Sequence, residues 1–412
     1  MKYYIMKHHR QIKLIITTSL FLCLVGCSQS AAHYTVIHAF NIGEHGGGPM
    51  GDLLMGNNGS LYGTTAFGGA NHDGTVFEIA ANGKETILYS FKGGTDGFYP
   101  EAGLVMDRSG SFYGTTSEGG TSNAGTVFKI TPAGKKITLY DFKGGSDGAI
   151  PEGRLMMSRN GNFYGTTSSG GHGHGGGNGT IFKITPNGKE TILYRFKGWD
   201  RWVVKNSDSS APEAGLVLGL NGNLYGTTSQ GGADGEGTVF MISPTGKESI
   251  LYSFKGSTDG ACPEGPLLIG RNGNFYGTTI SGGADDDGTV FRITPTGKES
   301  ILYNFEGGTD GEGPKGGLIM GRDGNLYGTT TFGGNNFPLL DLLLPQADSP
   351  TGNGVVFEVT PQGLERVLHR YGDGSKGAGS ETELVISRSG NLYGTTLAGG
   401  AHDKGVIFKI RP

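Results

Sequence analysis

From residue 34 onward the hydrophobic residues fall in short runs separated by Gly, Asp, Asn, Ser and Pro. Residues 102–106, 111–116, 126–131 and 136–142 illustrate one set of four such runs. Runs of this length, bounded by turn formers, predict β-strands joined by tight turns. We name the four strands of a set a, b, c and d. The a-to-b link is Arg108-Ser109-Gly110 and the c-to-d link is Thr131-Pro132-Ala133-Gly134, both with hairpin-turn chemistry. Successive hairpins make a four-stranded meander.

The set recurs. A Tyr-Gly-Thr-Thr motif begins at Tyr62, Tyr113, Tyr164, Tyr225, Tyr276, Tyr327 and Tyr393, at spacings of 51, 51, 61, 51, 51 and 66 residues. Each spacing holds four strands and their turns. The last copy stops after its c run, with only Arg411 and Pro412 beyond residue 410. Residues 33–40 meanwhile match the d run 84–91, and Phe40 precedes Met50 by ten residues as Phe91 precedes Glu101. The pattern predicts an all-β, seven-bladed propeller over residues 34–412, with strand 34–40 completing the last blade. An open solenoid would instead need polar caps.

The runs Asn-Leu-Tyr-Gly-Thr-Thr and Gly-Thr-Val-Phe-Lys-Ile-Thr-Pro resemble the Gly-rich tandem repeats of secreted bacterial proteins known as GloVer repeats, over nearly all of residues 34–412. The resemblance implies export and repetition, and no particular activity. The blade grammar is also similar to NHL-type propellers and the streptogramin lyase propeller, without the Asn-Leu-Trp signature of the latter.

Composition agrees with tight turns: 80 Gly among 412 residues, with 21 Phe and 17 Tyr and no three-residue Gly period. Residues 1–26 read as an export signal, with Lys2, Lys7, Arg10 and Lys13 ahead of an apolar run. Its end, Leu24-Val25-Gly26-Cys27, resembles a lipobox, which implies lipidation of Cys27 and a short tether over residues 27–33. With Ser28 next, the resemblance implies delivery to an outer membrane where one exists. Without the signal, 29 basic residues face 37 acidic ones, a net of −8 that excludes a nucleic-acid surface. Contact with the membrane is expected through the lipid alone, and the chain is expected to be monomeric.

The repeats differ on one face. The extra residues before Tyr225 and Tyr393 fall in b-to-c loops (around His172 and over residues 332–354) and in the d-to-a loop 198–211, all on the face shared by those connections. The d-to-a insertion carries Trp199, Arg201 and Trp202, a candidate platform for a glycan or a protein. His172 and His174 lack a third ligand. At the start of the a strands, equivalent positions hold Met50, Glu101, Glu152, Glu213, Glu264, Lys315 and Glu381. Crowded carboxylates there call for calcium or magnesium, or else each Glu caps the preceding Asp-Gly turn. Two residues further on, Asp52, Arg154 and Glu383 break the symmetry with charge and are the candidates for catalysis. The Gly-x-Ser-x-Gly at Gly144 lacks the strand–turn–helix context of a nucleophile elbow.

These features point to an exported binding or scaffolding lipoprotein that holds a glycan or an envelope protein on the insertion-bearing face. Two alternatives stand beside it: a metal-assisted lyase or hydrolase at the channel mouth, and a purely structural envelope protein.

Overall fold

In the computed structural model the described residues are 32–171, 177–197, 209–334, 352–372 and 374–412, and those from Ala32 to Pro412 form a compact unit of their own. Seven four-stranded antiparallel sheets make the blades. Blade 2 is typical: a Val105–Met106, b Phe112–Thr116, c Thr126–Ile130 and d Lys136–Asp141, adjacent in that order. Blade 7 has a Val385–Ile386, b Leu392–Thr396 and c Val406–Arg411, and takes its d strand from His33–Ala39 at the other end of the chain. The pairing runs from His33 with Arg411 to Ala39 with Val406 and skips Ile37 as a bulge. Blade 1 skips the equivalent Leu88. The ring is therefore closed by the N-terminal strand in the same register, bulge included, that the other blades use.

The repeated motif is the mechanical unit of the ring. Its Gly lies under the Phe ring of the c strand. A Cβ on Gly114 would stand 2.7 Å from Phe128 Cζ, and the other six motif glycines are equally covered. That c-strand ring meets, edge to face, the aromatic residue that ends the d strand of the preceding blade. The pairs are Phe91–Phe128, Phe142–Phe182, Phe196–Phe240, Phe254–Phe291 and Phe305–Phe357, with centroids 5.1 to 5.3 Å apart. Phe40–Phe77 (5.3 Å) and Tyr371–Phe408 (5.8 Å) carry the same contact across the two seams that flank the N-terminal strand. Each pair adds about 0.5–1.5 kcal/mol to its area burial. In five blades the first Thr of the motif ties neighbouring blades by hydrogen bonds, as where Thr64 Oγ1 donates to the Ala102 carbonyl (3.0 Å) and Thr166 Oγ1 to that of Ala214 (2.9 Å). The second Thr ties b to c, as Thr116 Oγ1 does with Thr126 Oγ1 at 2.9 Å.

These sideways bonds explain one departure from the sequence pattern. Residues 102–106 read as a five-residue strand, yet only Val105–Met106 pair with strand b. The residues before them spend their carbonyls on the neighbouring blade, because seven chains converge there around one axis. Each d-to-a loop is also bridged to the b-to-c loop of its own blade, at Phe98–Glu118, Ala149–Ser169 and their equivalents, so the two kinds of connection share a face as expected. Among the described residues no helix is long and apolar enough to cross a membrane.

Two substitutions at this framework should act in opposite directions. Gly277→Ala would place a Cβ 2.5 Å from Phe291 Cζ, whose ring is already held against Phe254. A loss of about 1–3 kcal/mol and a lower Tm are expected. Ile150 sits at φ 60, where Gly48, Gly313 and Gly379 stand in other blades. Ile150→Gly relieves about 1 kcal/mol of backbone strain and should raise Tm. Thermal unfolding followed by circular dichroism measures both; shifts of the same sign would contradict this reading of the motif.

Candidate functional site

The start of each a strand faces the axis, and together these residues line a cavity of about 980 Å³. Its lining includes all the carboxylates that the sequence singles out there: Asp52, Glu101, Glu152, Glu213, Glu264, Glu381 and Glu383, with Arg154 and Lys315. Deeper in, Met106, Met157, Leu218 and Ile269 make an apolar wall. The mouth opens on the face of the bridged loops, as the hydrogen bonds that its carboxylates accept from serines at the start of the b-to-c loops show. Ser229 Oγ lies 3.2 Å from Glu213 Oε1, and Ser117 and Ser168 bond Glu101 and Glu152 in the same way. The three Glu therefore do not cap the Asp-Gly turns. Those turns are closed by their own Asp: Asp96 and Asp147 accept from Tyr89 and Tyr140 and from the backbone N–H of Lys92 and Lys143.

Two cations divide the mouth. Arg154 reaches from blade 3 across the axis, with Nη2 3.1 Å from Glu383 Oε2 of blade 7 and Nε 3.9 Å from Asp52 Oδ2 of blade 1. Asp52 in turn accepts the Glu383 backbone N–H at 2.8 Å. These three side chains meet at one point of the mouth, though 102 residues separate Asp52 from Arg154 and 229 separate Arg154 from Glu383. Lys315 Nζ lies 3.0 Å from Glu381 Oε2 and 3.5 Å from Glu264 Oε2. Lys315 was legible only as an interruption of the Glu series; its role as a built-in counter-ion follows from the geometry. Among the described residues no three His, Cys, Asp or Glu side chains are grouped to hold a metal ion. The Lys315 ammonium stands among these carboxylates.

Among the described residues one arc has no basic partner in an ion pair: Glu101, Glu152 and Glu213 on blades 2 to 4. Burial raises all three carboxyls, and the charges of Glu264 and Glu152 help to push Glu213 up to about 7. Burial likewise raises Glu383 to about 7, with Arg154 pulling it down and Asp52 pushing it up. Burial alone would lower Arg154, but Asp52 and Glu383 outweigh it and hold the guanidinium firmly charged. Trp199, Arg201, Trp202, His172, His174 and Cys27 lie outside the described residues.

These shifts set a pH dependence. A carboxyl that is harder to ionise in the fold than in the open chain stabilises the fold fully below its ordinary value of 4.5, and that contribution is lost as pH rises to about 7. Glu190, Glu299 and Glu365, raised to about 7 chiefly by burial at the outer seams, act in the same sense. Tm is expected to fall as pH rises from 4.5 to 7, and Glu213→Gln with Glu383→Gln should flatten that slope. A slope identical to wild type would remove the mouth from this account.

Comparison with known proteins supports the fold. The Gloeobacter/Verrucomicrobia repeat family matches residues 25–206 and 202–337. No curated protein matches the sequence. Among solved structures, the chain is similar to a protein of unknown function from Bacteroides thetaiotaomicron, at 13% identity and a TM-score of 0.46, over 92% of this chain and 76% of that one. It is similar to a puromycin hydrolase at 12% identity and a TM-score of 0.51, over 85% of this chain and 50% of that one. A third is the extracellular domain of a protein described as a hybrid two-component system from B. thetaiotaomicron, at 10% identity and a TM-score of 0.53. That similarity covers 89% of this chain and 39% of that one, so the chain spans half or less of the last two proteins.

Proposed function

The chain belongs to the Gloeobacter/Verrucomicrobia repeat family, and from that premise we propose that it is an exported, lipid-anchored binding module which takes the end of a glycan into the acidic mouth of its channel. The observation that carries this is the unpaired arc of Glu101, Glu152 and Glu213 on the wall of a 980 Å³ cavity. Carboxylates accept hydrogen bonds from hydroxyl and ammonium groups alike. A sugar bearing free amino groups supplies both, and its charge offsets the burial and the repulsion from Glu264 and Glu152 that together raise Glu213. Arg154 and Lys315 each form ion pairs with a different pair of acids, and the arc feels the Lys315 charge only through space, which leaves it as the attractive sector.

A second reading is favoured by Glu383, a carboxyl raised to about 7 beside a guanidinium inside a cavity, as befits an acid–base group. In a lyase or hydrolase, Glu383 would move the proton, Arg154 would stabilise developing negative charge, and Asp52 would hold the Glu383 backbone.

Calorimetric titration with glucosamine oligomers and with neutral cello-oligomers separates these readings. The binding account expects the amino sugar to bind and Glu152→Gln with Glu213→Gln to weaken it by roughly tenfold or more, as loss of charge-assisted bonds does, with Tm unchanged or higher. No binding of either series would contradict it. Turnover of an oligomer that Glu383→Gln abolishes would establish the second reading instead.

A further inference from the structure

The face opposite the acidic mouth has a charge pattern of its own. The a-to-b turns are built on one frame, in which a Gly, Ser or Asp is followed by a free position, a polar residue and a Gly. At the free position stand Arg108, Arg159, Arg271, Arg322 and Arg388 in five blades, with Asn57 and Leu220 in the other two. The turn does not require Arg, since Asn and Leu are accepted. All five Arg are exposed, and among the described residues none takes part in an ion pair. Arg271, Arg322 and Arg388, on consecutive blades, line one shallow depression together with Met320 and Ile386.

The c-to-d turns at the same ends of the sheets add exposed Lys84, Lys135, Lys189, Lys247 and Lys298. The acids in the a-to-b turns are Asp107 and Asp323, and both are engaged locally. Asp107 accepts from Ser109, Ser111 and Tyr113, and Asp323 accepts from Asn325 and Tyr327. Glu85, Glu190, Glu248 and Glu299 directly follow four of these Lys and offset them, so the cationic character of these ends rests on the five Arg, beside which the acids are engaged locally.

The path of the chain says what such a surface would meet. Across blade 7 the ladder runs from Ile386 to Leu392, to Ile410 and to Tyr34. The chain therefore enters the ring, at His33, at the sheet end that carries the Arg388 turn. Cys27 is six residues upstream, a reach of about 20 Å at most. A lipid on Cys27 would hold this face toward the bilayer. We propose that the Arg ring is a docking surface for anionic lipid headgroups, which lays the anchored propeller flat with its acidic mouth turned outward. The orientation rests on the anchored reading above; the surface itself does not.

Residues 27–412 contain every strand of the closed ring, so they can be tested with Cys27→Ser and no lipid. This protein is expected to float with phosphatidylglycerol vesicles and not with phosphatidylcholine vesicles, and added salt should release it. Arg271→Gln with Arg322→Gln and Arg388→Gln should weaken vesicle binding on the order of a hundredfold, with an unchanged circular-dichroism melt. Equal binding to both vesicles, undiminished binding by the triple variant, or binding to soluble dextran sulfate without binding to vesicles would overturn the proposal, the last in favour of an anionic glycan. Fatty-acid labelling of the full chain tests the anchor separately. Absence of label at Cys27 with vesicle binding intact removes the fixed orientation and supports the surface, whereas label without vesicle binding overturns the surface alone.

Discussion

An aromatic ring resting on a glycine is the contact on which the rest of this molecule depends. The c-strand Phe needs the space that the motif Gly leaves open, and only in that seat does its edge meet the aromatic residue that ends the preceding d strand. One residue without a side chain thus sets the spacing between blades. The Thr that follows fixes the angle by bonding to the backbone of the next blade at the axis. The ring contact recurs at all seven seams and the threonine bond at five of them, so every blade is packed between two neighbours, and the N-terminal strand enters under the same terms through Phe40 and Phe77. The blade 6 seam varies the theme. Tyr371 replaces Phe, and Tyr34 stacks on His369 at 3.6 Å and donates to the Lys376 carbonyl.

Function follows from where this framework stops making demands. The rings and threonines are spent between blades, so the side chains that begin the a strands are free to vary. Converging seven of them on one axis turns modest differences among repeats into a concentrated site. One Arg and one Lys among the seven carboxylates of the lining are enough to split the mouth into neutralised sectors and an acidic arc. The a-to-b turns are equally unconstrained at one position, and there the chain places Arg instead. The molecule is polar from one face to the other while its scaffold is nearly seven-fold.

Much of this was legible in the sequence, for physical reasons that also mark the limit. Strands b, c and d show because each follows its own hairpin period, and ring closure shows because residues 33–40 align with a d run and nothing else. The inner strand was read too long because alternation along a chain does not report hydrogen bonds made sideways to another blade, as by Ala102. Aligning the repeats brought Asp52, Arg154 and Glu383 to one level of the channel. It could not show that Arg154 spans the axis to the other two, since that depends on side-chain reach. For Glu101 the sequence offers a metal ion or its own nearby turn, whereas the hydrogen-bond partner, Ser117, is near only across the sheet.

The claim that the ring is closed by the same contact that joins every other pair of blades can be tested by native-state hydrogen exchange, residue by residue. The amides of His33–Ala39 that pair with Val406–Arg411 are expected to exchange only with global unfolding, at rates matching the d strands Glu85–Ser90 and Glu299–Asn304. Exchange of His33–Ala39 at the fast rate of a frayed terminus, while the other d strands stay protected, would contradict it.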